Sequence, residues 1–98
     1  MATKDDLLKD LEIKMDAINL RYEAAFQEVK AEPEDFFNAN YTSYRSELAK
    51  TATDTLHNLI MSGLGNDEDF VLSVQKLNIS SVYKLMLSLK KIDDNRKA

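Results

Sequence analysis

Cysteine and tryptophan are both absent from the chain. Without cysteine there is no disulfide, no thiolate nucleophile and no thiolate metal ligand, a composition suited to a reducing cytoplasm. One proline and two glycines are too few turn residues for an all-β fold with its many corners. No apolar run approaches the ~18 residues that a membrane span needs. The opening stretch MATKDDLLKD has no apolar core of signal-peptide length and carries acids where such a signal is basic. The expectation is a cytoplasmic protein with no membrane role.

What remains is globular by composition: 44% apolar and 31% charged over 98 residues, enough for one domain spanning 1–98. The charge is uneven. Residues 1–75 hold 15 acids and 7 bases, whereas residues 76–98 hold 6 bases and 2 acids. An acidic body repels nucleic acid, while the C-terminal end alone could attract it. The same asymmetry suits pairing with another acidic-and-basic surface.

Apolar periodicity is helical throughout. Leu8, Leu11, Met15, Ile18, Tyr22, Ala25 and Val29 alternate at spacings of three and four, the seam of a long helix over about 4–31. Thr3 can cap it, with Asp5 and Asp6 at its positive end. A thinner stripe, Ile13, Ala17, Leu20 and Ala24, lies on the opposite face of the same helix. Pro33 fits the first position of a second helix, about 34–62. Within it, NANYTSY is poor in strong helix formers and invites a break near Thr42. Phe36 and Phe37 are adjacent, so only one can face the core stripe, and the other packs in a corner or is exposed. SGLGN supplies both glycines and marks the clearest turn. Asn66 or Asp67 can cap the next helix. If residues 67–92 were one helix, the seam through Val74 and Leu77 would meet Ser81 and Ser88. The spacing therefore predicts a phase slip at 78–80, with short helices at about 67–77 and 80–92, and a frayed DDNRKA tail. The expected fold class is all-α: a small antiparallel helical bundle of two long and two short helices.

Chemistry has little to work with. His57, the lone histidine, sits one turn after Asp54, and no further ligands complete a zinc site. GNDED lacks the alternating oxygens of a calcium loop, and its acids are accounted for by helix capping. GLG is followed by acids and no third glycine, which excludes both nucleotide fingerprints. The residues predict no enzyme, no cofactor and no metal.

NISSVYKLM resembles the turn and recognition helix of helix-turn-helix proteins, which implies DNA reading through residues 66–92. Lys84 and Ser73 fall where that motif wants apolar packing, and no arginine lies within the second helix. SVYKLMLSLKK is instead apolar on more than one face, as a helix covered on two sides is. The primary expectation is a protein–protein interaction module (adaptor, assembly or regulatory protein) that self-associates or binds another helical protein. Ile13, Leu20, Leu85, Leu87 and Leu89 are its expected contact set, with Lys90, Lys91 and Arg96 as a charged rim. The alternatives are the helix-turn-helix regulator and an acidic inhibitor of a nucleic-acid enzyme.

Overall fold

A computed structural model describes residues 3–64 and 67–98. Three helices account for nearly all of them: α1 (Lys4–Gln27), α2 (Pro33–Met61) and α3 (Glu68–Lys97), with no strand among the described residues. They run up, down and up, so that α1 and α3 are parallel and α2 antiparallel to both, in a rod of 51 × 22 × 19 Å.

Local chemistry sets the ends. Thr3 Oγ1 accepts from the Asp6 N–H, and the Asp6 carboxylate accepts from the Thr3 N–H, a reciprocal capping box. Those bonds hold the Asp6 carboxyl below its usual range, led by the one from the Thr3 backbone. Pro33 opens α2 where its missing N–H costs nothing. α2 closes at Gly63, whose φ of 71° is the left-handed conformation glycine tolerates. The Gly63 N–H reaches the Ile60 carbonyl and the Leu64 N–H reaches that of Leu59, the two bonds of a Schellman motif. Asp67 caps α3 by accepting from the Phe70 N–H; Asn66, the other expected cap, lies outside the described residues.

The core is one cluster. Leu11, Met15, Ile18 and Phe26 of α1 meet Phe36, Tyr44, Leu48, Ala52 and Leu59 of α2 and Phe70, Val74, Leu85 and Leu89 of α3. α1 stops at Gln27 rather than near residue 31, and the buried seam leaves the expected positions at its end: Phe26 is fully buried while Ala25 and Val29 are exposed. A straight helix drifts against a strict seven-residue repeat, and the larger ring takes the core position. α2 runs unbroken through NANYTSY. Tertiary packing overrides weak propensity there: Phe36 packs at a tilt against Phe26, and Phe37 fills the corner against Tyr41 and Tyr44.

α3 is a single 30-residue helix, which corrects the expected break at 78–80 and leaves three helices rather than four among the described residues. The seam does meet Ser81, and Ser81 is buried. A small polar residue is tolerated there because its backbone carbonyl is put to use. Asn19 Nδ2 of α1 donates to the Ser81 carbonyl at 2.9 Å. Tyr44 Oη of α2 donates to Asn19 Oδ1 at 2.6 Å and lies 3.1 Å from the same carbonyl. The Ser81 hydroxyl lies 3.4 Å from Met15 Sδ. One buried knot thus ties all three helices at a single height. The DDNRKA tail is helical to Lys97 instead of frayed. Arg96 stacks on the Phe26 ring, 4.2 Å from its centroid, and donates to the Phe26 carbonyl. Lys97 bridges Asp93 and Glu32 at 2.9 and 3.3 Å.

Candidate functional site

Three faces of the rod differ in chemistry, and cross-helix polar contacts identify which residues border each. Between α1 and α2, Arg21 pairs with Glu47, which also accepts from Tyr22 Oη at 2.6 Å. The hydrogen bond from Tyr22, then that from Arg21, lowers the Glu47 carboxyl. Lys14, Asp10 and Asp54 add to this face, which is densely charged.

Between α1 and α3 lies a groove walled by Asp16, Leu20 and Glu23 on one side and Lys84 and Leu87 on the other. Lys84 lies 3.7 and 3.9 Å from Glu12 and Asp16 across it. Leu20 and Leu87, both from the expected contact set, are thus brought together and are 63% and 50% exposed. Ile13 stands exposed two helical turns before Leu20 on α1.

Between α2 and α3 the exposed charges include Arg45 and Asp35 of α2 and Lys76 and Lys90 of α3. Arg45 reaches Asn78 along this side. Outward of that bond α3 exposes Leu72, Ile79, Tyr83 and Met86, recurring at spacings of seven, four and three on one helical face. α3 carries no acid between Asp69 and Asp93. Ile60 of α2 is exposed beside the start of this row.

The remaining expected contact residues lie elsewhere. Leu85 and Leu89 are each 1% exposed; they are core and have no surface to offer, which corrects their assignment to a docking face. With Ser81 accepted as a core position, Val74, Ser81, Leu85, Leu89 and Ile92 form one inward stripe, and that stripe leaves Met86 and Leu87 outside. Arg96 is exposed at the far end of the rod, with its guanidinium over the Phe26 ring and bonded to the Phe26 carbonyl. Lys90 and Lys91 are exposed; Lys90 pairs with Asp94 at 3.1 Å. The row that the expected set missed, Leu72–Ile79–Tyr83–Met86, is visible as a second helical periodicity once residues 67–92 are taken as continuous.

No helix among the described residues is long and apolar enough to cross a membrane. Likewise, no group of three or more His, Cys, Asp or Glu among them is placed to hold a metal ion. His57 and Asp54 lie on the exposed surface of α2, and Asp54 is within 3.6 Å of Lys50. Among the described residues the supposed turn of a helix-turn-helix is the unbroken middle of α3. No family model, curated protein or solved structure matches the chain.

Proposed function

We propose that the chain is a non-enzymatic protein–protein interaction module of the cytoplasm that works through the outer surface of α3. One observation carries this. Among the described residues twelve large hydrophobic side chains are exposed, and six of them (Val71, Leu72, Ile79, Tyr83, Met86 and Leu87) belong to α3. Single exposed apolar residues are ordinary. A row of them on a helix face that carries no acid, interrupted only by Lys76, is what protein interfaces present, with Tyr and Met enriched and acids depleted. Methionine adds a side chain that adapts to its partner. The Leu20–Leu87 groove extends the same module onto α1, so that α3 is flanked by apolar surface on both sides.

The experiment is affinity capture with two differently tagged copies, comparing the parent chain with Ile79→Glu/Leu87→Asp. The reading predicts that the parent retains a defined protein, its own second copy included, and that the double variant loses it while keeping its helical circular dichroism. Identical capture by both would overturn it. Co-purifying nucleic acid that high salt removes would favour a nucleic-acid role for the basic residues of α3 instead.

A further inference from the structure

We infer that the α2/α3 face is covered by a second copy of this chain, related by a two-fold axis parallel to the rod. This rests on the interaction-module reading above and names its partner. The α3 row is large: Leu72, Ile79, Tyr83 and Met86, exposed and apolar, with the cationic Lys76, which also borders the α1/α3 cleft, between the first two. Beside it, α2 exposes an equally regular row that is uniformly small: Thr53, Ala49, Ser46, Thr42 and Ala39. Both rows advance by alternating steps of three and four, so each keeps to one helical face.

Height along the rod decides what meets what. In antiparallel helices, residues at one height have numbers with a nearly constant sum; the contacts of Tyr44 with Ser81 and of Arg45 with Asn78 agree on it to within about half a turn, and the buried one puts it at 125. By it, Leu72 stands level with Thr53, Lys76 with Ala49, Ile79 with Ser46, Tyr83 with Thr42 and Met86 with Ala39. A two-fold axis along the rod preserves height and exchanges left for right. It therefore lays the large row of one copy onto the small row of the other, twice. Every large side chain meets a small one, as close helix packing requires. The same rule carries past the row ends, where charge complements size. Asp35 stands level with Lys90 and His57 with Glu68, all exposed, so each end of the contact gains an opposite-charge or hydrogen-bonding pair at its wet rim.

The extent is sufficient. The matched span from Glu68 to Lys90 runs roughly 33 Å along a rod about 20 Å across, which offers about 660 Å² per copy and about 1,300 Å² in total, at the lower end of the ~1,200–2,000 Å² that stable complexes bury. A two-fold axis across the rod would instead set large row on large row and small on small, leaving gaps beside α2.

Because the chain has no cysteine, introduced cysteines report the geometry cleanly. Ser46→Cys and Ile79→Cys are prepared separately, allowed to exchange, and oxidised. The inference predicts a disulfide-linked dimer from the mixture at several times the yield from either variant alone. Light scattering then gives a mass of about 22 kDa for the parent, twice the 11.2 kDa chain. Overfilling the small row with Ser46→Trp returns the mass to that of one chain, and Leu87→Asp leaves the dimer intact. Equal cross-linking by Ile79→Cys alone would overturn the assigned axis. A parent that is monomeric at every concentration, or a dimer dissolved by Leu87→Asp and not by Ser46→Trp, would overturn the α2/α3 assignment. In either case the broader reading stands or falls separately, on whether the double variant loses a captured protein.

Discussion

Replacing Tyr44 by phenylalanine removes one oxygen and no carbon, so the fold loses a hydrogen bond with almost no change in packing. In the parent, Tyr44 Oη donates to Asn19 Oδ1 at 2.6 Å inside the core, where both residues are nearly inaccessible. The variant leaves Asn19 Oδ1 without a donor, and an unsatisfied buried acceptor costs about 1–3 kcal/mol. For a domain of this size each kcal/mol lowers Tm by about 4–8 °C, so a drop of about 10 °C is expected. Urea unfolding followed by circular dichroism, at one fixed protein concentration, should show a lower midpoint with an unchanged slope. Asn19→Ala alone leaves the Tyr44 hydroxyl the Ser81 carbonyl at 3.1 Å. The double variant should therefore lose less than the two single losses together, by about 0.5–3 kcal/mol of coupling. The alkaline limb offers a second reading. Burial raises the Tyr44 hydroxyl above its ordinary 10.0, so the native state keeps a proton that the unfolded chain gives up. That contribution is fully present below pH 10.0 and is lost as pH rises beyond it. Tyr44→Phe should flatten this limb. A variant as stable as the parent, with the same alkaline slope, would refute the polar knot as a source of stability.

Other expectations are equally concrete. Leu85→Ala should cost about 2–5 kcal/mol by urea unfolding, the ordinary loss for a fully buried leucine, whereas Leu87→Ala should stay within about 0.5 kcal/mol. Arg96→Ala should leave the midpoint little changed but speed amide exchange in the last turns of α1 and α3, because it unlocks the Phe26 end of the rod. At acid pH stability should fall as pH drops through the carboxylate range. Glu47, Asp6 and Asp67 all have lowered native values, so their stabilisation is present above the unfolded 4.5 and 3.8 and is lost below. Glu47→Gln should soften that acid limb.

Much of the fold is written in local chemistry, which is why it could be read from the chain. Thr3 with Asp6, Pro33, the glycine of SGLG and Asp67 each act within a few residues of themselves. The seam of α1 through Leu11, Met15 and Ile18 likewise needs no tertiary knowledge. The continuity of α3 is not legible in the same way, because it depends on a partner far along the chain. Ser81 looks like a fault in an apolar seam until Asn19 and Tyr44 are seen to need its carbonyl. Treating that serine as a break rotates the supposed outer face, and so places Leu85 and Leu89 on the surface while passing over Ile79 and Tyr83. The exposure of Leu20 and Leu87 is legible because their positions do not depend on that choice. The small row of α2 carries no apolar signature of its own, and gains meaning only beside the large row of α3.

Solution mass, measured by light scattering for the parent chain and Ile79→Glu in high salt, tests the central claim most directly. The outer row of α3 is apolar apart from Lys76, so its contact should survive screening. The account predicts a dimeric parent and a monomeric, fully helical variant. Equal masses for the two would contradict it.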